Sequence, residues 1–106
     1  MSDQPFKAFE REVAALLGGR RFWANSGERL DVESPSAIAQ CKLVKRLSLA
    51  DLTALAEEVE RAAAPQFKAG IVAVKLRRGA GRKSPVLLVV TADTWRRMNG
   101  EAKGGA

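Results

Sequence analysis

The chain contains no histidine and no tyrosine, and only one cysteine, among its 106 residues. Without histidine there is no Ser-His-Asp or Cys-His nucleophile and no HEXXH zinc helix. A lone cysteine permits no internal disulfide and no multi-cysteine zinc site, which suits a reducing compartment. No apolar run approaches the ~20 residues of a membrane span, and no basic-then-apolar leader opens the sequence. The expectation is a soluble, cytoplasmic protein. Acidic residues are also short in number, 12 Asp and Glu against 18 Lys and Arg, for a net charge of +6. That excess points to a polyanionic partner. A membrane surface fits less well, because no strongly basic amphipathic helix with aromatic anchors is present. Any catalysis must therefore come from carboxylates, amides, hydroxyls and lysines.

What is present suffices for one folded domain. The apolar fraction of 46% is ordinary, and a chain of this length buries very roughly two-thirds of its unfolded surface. Residues 1–98 read as that domain and 99–106 as a flexible Gly-rich tail. Phe6, Phe9, Val13, Leu16 and Leu17 fall at helical spacing over residues 4–18, with Asp3 or Gln4 as cap and Gly18-Gly19 as stop. Residues 20–25 read as a first strand, 26–29 as a loop, 30–33 as a second strand and 37–43 as a third. Phe22 and Trp23 suit sheet packing or, alternatively, a base-stacking platform. Ser48 to Asp51 has the form of a capping box, with Asp in the place of Glu. The helix that follows carries Leu49, Leu52, Leu55, Val59 and Ala62 on one stripe. Glu57, Glu58, Glu60 and Arg61 face outward, and Pro65 ends the helix. Residues 69–74 and 86–90 are continuous β-branched runs, which predicts strands covered on both faces. A last short helix begins near Thr91.

The chemistry concentrates in the third strand. Residues two apart in an extended chain share a face, so Gln40 and Lys42 point one way while Ala39, Cys41 and Leu43 point the other. The Ser34-Pro35-Ser36 corner folds the second strand back alongside, which brings Asp31 level with Gln40. A carboxylate, an amide oxygen and an ammonium then converge, a grouping that can hold a divalent cation beside a phosphodiester. Asp31 and Glu33 share a strand face about 7 Å apart; a solvated acidic face is the plainer account of that pair. Glu10 borders the apolar stripe of the first helix, either reaching solvent or leaning over the sheet towards the cation. Ser26 is a turn hydroxyl by default. Residues 79–84, Gly-Ala-Gly-Arg-Lys-Ser, resemble a phosphate loop, but the glycine spacing is wrong and a strand follows, so no nucleotide cofactor is expected. A basic hairpin that embraces a phosphate backbone, or a solvated turn, accounts for them instead.

In this order the residues carry a family resemblance. A helix with Glu, a strand, Asp near a hairpin, then (Glu/Gln)-x-Lys and a helix resembles the PD-(D/E)xK nuclease superfamily. Residues 9–14, 17–21, Asn25-Ser26-Gly27, Asp31-Val32-Glu33 and Gln40-Cys41-Lys42 resemble small phage and bacterial proteins described as archaeal-type Holliday junction resolvase-like endonucleases. The likeness spans about residues 6–91. It implies an α/β fold with a restriction-endonuclease-like αβββαβ core, a mixed central sheet flanked by helices. It implies Mg²⁺, for which Mn²⁺ can substitute, held by Asp31, Gln40, the Cys41 carbonyl and Glu10. Lys42 would stabilise charge on the phosphate, and Ser26 would lie near the scissile bond. Arg20, Arg21, Lys45, Arg46, Arg77, Arg78, Arg82 and Lys83 would hold DNA phosphates. The implied activity is metal-dependent, structure-selective DNA cleavage by a homodimer acting on branched DNA, in recombination or repair. Two further readings stay open: a general repair- or restriction-type DNA nuclease, and an inactive nucleic-acid-binding module with the same fold. Gln40 departs from the Glu of many members and removes one negative charge from the site; Glu33 or Glu10 is the residue placed to compensate.

Overall fold

Helix α1 (Pro5–Leu17) forms because Phe9, Val13 and Leu17 recur every four residues, with Ala14 between them on the same face. It stops at Gly18, whose φ of +70° is the left-handed conformation that favours glycine. The structure is a computed structural model and describes residues 5–21, 31–79 and 82–99. Strand β1 (Arg20–Arg21) follows, then β2 (Val32–Glu33), β3 (Ala37–Val44), α2 (Leu49–Ala63), a 3-10 turn (Ala64–Gln66), β4 (Ala69–Leu76), β5 (Val86–Val89) and α3 (Ala92–Met98). The protein is therefore α/β. Among the described residues no helix is long and apolar enough to cross a membrane.

One five-stranded mixed sheet runs in the order β1-β2-β3-β4-β5. β3 and β4 are parallel and joined through α2, while the other three pairs are antiparallel. Helix-length connections are what parallel neighbours require. The alternation along β3 divides the core into two layers. Ala37, Ala39 and Cys41 pack with Phe9, Val13 and Ala14 of α1. Ile38 packs with Val59, Ala56 and Ala63 of α2, beside Val72 of β4. Ile38, Val59 and Val72 are fully buried, and each contributes roughly 1.5–3 kcal/mol through removal from water. Helix α2 starts at Ser48, whose hydroxyl accepts from the Asp51 amide at 3.0 Å. It lies so close to β4 that a Cβ on Gly70 would stand 2.7 Å from the Val59 carbonyl oxygen.

Several expectations from periodicity change. Phe6, Leu16 and Leu49 lie outside the core, because the first two flank the packed stripe and Leu49 precedes the turn at which α2 reaches the sheet. Pro65 does end the α-helix, which stops at Ala63, and the chain then tightens into the 3-10 turn. Glu60 turns back to accept a hydrogen bond from Thr91 Oγ1 at 2.7 Å instead of facing outward. The run 86–90 is not covered on two faces, since β5 is the last described strand of the sheet and Leu87 and Leu88 are exposed. The cap at Asp3 or Gln4 and the predicted strand positions 22–25, including Phe22 and Trp23, fall outside the described residues.

Candidate active site

The site is assembled where β2 begins. Val32 pairs with Ala39 and Glu33 with Ile38, and the next rung is carried by Asp31, whose amide donates to the Ala39 carbonyl at 3.0 Å. The Asp31 side chain then takes the place of backbone: its Oδ2 accepts the Cys41 N–H at 2.8 Å. This bond fixes the carboxylate at the edge of β3. It also turns the Cys41 carbonyl to the same edge, because N–H and C=O of one strand residue point together.

Asp31, Gln40, Cys41 and Lys42 line one open cleft of about 510 Å³ together with Phe6, Leu43 and Val44. Gln40 and Lys42 lie on the α2 side of the sheet, opposite Val72 and Val74 of β4. Gln40 is 3% exposed, and its Oε1 has no hydrogen-bond partner. Such an orphaned acceptor costs about 1–3 kcal/mol, and exceptions of this kind call for a ligand or a function. Lys42 is half-buried and makes no ion pair among the described residues.

Glu10 approaches from α1. It is 8% exposed and so does not reach out to solvent. Burial, the charge of Asp31 and a hydrogen bond to Asp31 push its carboxyl above the ordinary carboxylate range. Arg21 opposes this rise, donating from Nε to Glu10 Oε1 at 3.0 Å. Two carboxyl groups thus act on one another, with one guanidinium beside Glu10. The Cys41 thiol is buried on this α1 side and pushed up to about 12, first by burial and then by Asp31 and Glu10. It stays protonated, so only the backbone of Cys41 is available as a donor to a hard cation.

Glu33 does not join the group. It pairs with Lys68 at 2.6 Å and with Arg20 at 4.0 Å, further along the sheet. Ser26 lies outside the described residues. Among the described residues no three His, Cys, Asp or Glu side chains are placed to share a metal ion; a cation here would rest on two carboxylates supplemented by amide and carbonyl oxygens.

The predicted phosphate contacts separate into groups. Arg20 is exposed but paired with Glu33, and Arg21 is committed to Glu10. Lys45 and Arg46 are exposed just past the end of β3. Arg77, Arg78, Arg82 and Lys83 flank the β4–β5 connection, where Arg78 donates to the Lys83 carbonyl at 3.0 Å. Parallel β3 and β4 run together to Val44 and Leu76, so these cations gather at the carboxyl ends of the parallel pair, a common place for ligands in α/β sheets. Sequence reasoning assigned Arg21 to DNA phosphates and missed its pairing with Glu10, since 11 positions separate the two and only the packing of α1 on β1 joins them. It also left Lys75, at the start of the basic stretch 75–84, out of the phosphate contacts, because a single cation at the end of an apolar strand gives no sign of its surroundings. Comparisons with family models, with curated proteins and with solved structures each gave no match for this chain.

Proposed function

We propose that the protein is a divalent-metal-dependent DNA endonuclease with a restriction-endonuclease-like core, structure-selective in the manner of Holliday junction resolvases and acting as a homodimer. The observation that carries this reading is the cleft itself: Asp31, Gln40 and Lys42 share it, Glu10 abuts Asp31, and a buried Gln40 oxygen waits without a partner. That donor set fits Mg²⁺ or Mn²⁺, which prefer oxygen ligands and retain several waters, so a few protein donors suffice. Asp31, Gln40 Oε1, the Cys41 carbonyl and Glu10 would hold the ion. When bound, it supplies Lewis-acid stabilisation of the phosphate and a more acidic water. The chain's own contribution is orientation and charge. The Cys41 amide holds Asp31 in place, Arg21 steadies Glu10, and Lys42 offers an ammonium to the negative charge that builds on the phosphate oxygens. Lys45, Arg46, Arg77, Arg78, Arg82 and Lys83 would seat flanking phosphates. If six are neutralised, DNA affinity falls with salt at a log–log slope near about −5.

A second reading is favoured by Gln40, which lowers the acidity of the ligand set: a DNA-binding module that keeps the fold without cutting. One assay separates the readings. The purified protein is incubated with labelled four-way junction, linear duplex and single strand, in Mg²⁺, Mn²⁺ or EDTA. Paired nicks in the junction alone support the structure-selective enzyme, and cuts in every substrate support a general repair or restriction nuclease. Binding without cleavage in either metal supports the module. Asp31→Asn abolishes cutting while DNA affinity stays equal or rises, and retained cutting removes Asp31 from the ligand set.

A further inference from the structure

A second cavity, of about 620 Å³, lies on the α1 side of the sheet, between the first turns of α1 and the β4–β5 connection. Leu43 lines both this cavity and the cleft that holds Asp31, Gln40 and Lys42, so the two are neighbours near the end of β3. Among the described residues its walls carry Lys75, Arg77, Arg78, Arg82 and Lys83 against one carboxylate, Glu12. Lys75 is held in place, its Nζ 3.0 Å from Glu12 Oε1 and 5.7 Å from the centre of the buried Phe9 ring. Ser84 adds a hydroxyl oxygen that is shielded from solvent and has no hydrogen-bond partner. Five cations, an unsatisfied hydroxyl and a shaped concavity have the composition of an oxyanion receptor, and phosphate is the oxyanion that the excess of Lys and Arg selects.

We propose that this cavity is a phosphate subsite, with Lys75 and Ser84 at its base, that seats an internal phosphodiester of the nucleic-acid strand running past the neighbouring cleft. The inference rests on the nucleic-acid reading above and assigns one strand path to it. Glu12 acts as the competitor for Lys75 that the phosphate displaces. The sign of each substitution follows. Lys75→Gln removes a cation from the subsite, Ser84→Ala removes the hydroxyl, and Glu12→Gln removes the competing carboxylate.

The test is binding of a fluorescently labelled 12-nucleotide single strand, bearing either a 5′-hydroxyl or a 5′-phosphate, in EDTA and over a range of salt. Lys75→Gln weakens binding about five- to tenfold and makes the salt slope shallower by about 1. Ser84→Ala weakens it about three- to tenfold, and Glu12→Gln tightens it. Arg61→Gln, on the exposed face of α2, makes the same change in net charge as Lys75→Gln and moves affinity less than twofold. Thermal midpoints near wild type establish that each variant is folded; should Lys75→Gln fail to fold, Ser84→Ala and Glu12→Gln still decide. Equal binding of the two strands supports an internal phosphodiester, whereas dependence on the 5′-phosphate overturns that assignment. Unchanged affinity in Lys75→Gln and Ser84→Ala, or weaker binding in Glu12→Gln, overturns the subsite. Because the experiment excludes divalent metal, its outcome is independent of cutting: a protein that cleaves DNA but ignores these substitutions refutes the subsite alone. One that shows the expected pattern but never cleaves refutes the nuclease alone.

Discussion

Replacing Gln40 by Met separates stability from function in one position. Gln40 is 3% exposed and its Oε1 lacks a partner, so the folded state without metal carries the desolvation cost of that oxygen. An unsatisfied buried acceptor costs about 1–3 kcal/mol, and Met is close enough in volume to avoid a cavity term. Gln40→Met is therefore expected to stabilise the metal-free protein by about 1 kcal/mol or more. For a domain of this size that corresponds to a rise in thermal midpoint of roughly 4–8 °C per kcal/mol. Divalent metal should act in the opposite order. At ten times its dissociation constant a bound ion adds about 1.4 kcal/mol to the wild type, and it should add little to the variant, which has lost one oxygen donor. The assay is thermal denaturation of both proteins in EDTA and then across a Mg²⁺ or Mn²⁺ titration. A variant less stable than wild type in EDTA would show that Oε1 is satisfied in solution. An equal metal-induced rise in both would show that Gln40 does not face the ion, and either result refutes the argument from the orphaned oxygen.

On the proposed nuclease reading, Lys42→Ala should lower the rate of DNA cleavage about 10²–10³-fold while changing DNA affinity by only a few-fold, because the ammonium would act mainly on charge that develops during the reaction; a loss confined to affinity would make it an ordinary phosphate contact. Glu10 gives a pH signature in metal-free protein. Its folded carboxyl is raised above the unfolded value of 4.5 by burial and by Asp31, so the folded state holds its proton more tightly. Stability from this group is present below pH 4.5 and is lost as pH climbs through the folded value. Glu10→Gln should flatten that decline when urea midpoints are compared between pH 4 and 8, and an unchanged profile would contradict the Glu10–Asp31 pairing. Gly70→Ala should destabilise by about 1–3 kcal/mol or more, since its Cβ would meet the Val59 carbonyl at 2.7 Å; a neutral result by chemical denaturation would mean that α2 can move off β4.

Much of the architecture follows from local pattern. Spacing at Phe9, Val13 and Leu17 specified α1, the Ser48 cap began α2, and the apolar run from Ala69 specified β4. These signals are legible because each depends only on neighbours in the chain. The period of two along β3 likewise divides Gln40 and Lys42 from Ala39, Cys41 and Leu43, whatever the strand packs against. Local pattern could not say that β5 would be left with Leu87 and Leu88 exposed, because coverage depends on strand order and on how far α3 extends.

The chain by itself determined which chemistries were possible: no imidazole and no disulfide, an excess of cations, and an Asp, a Gln and a Lys at spacings that one hairpin can bring level. Only the tertiary structure decided which carboxylate joins Asp31. Glu33, two residues away, turns to Lys68, whereas Glu10, from a separate helix, meets Asp31 and draws Arg21 with it. The physical reason is that sequence spacing constrains direction along one strand. Which charges are buried together depends on how α1 lies across the sheet, a contact between residues far apart in the chain.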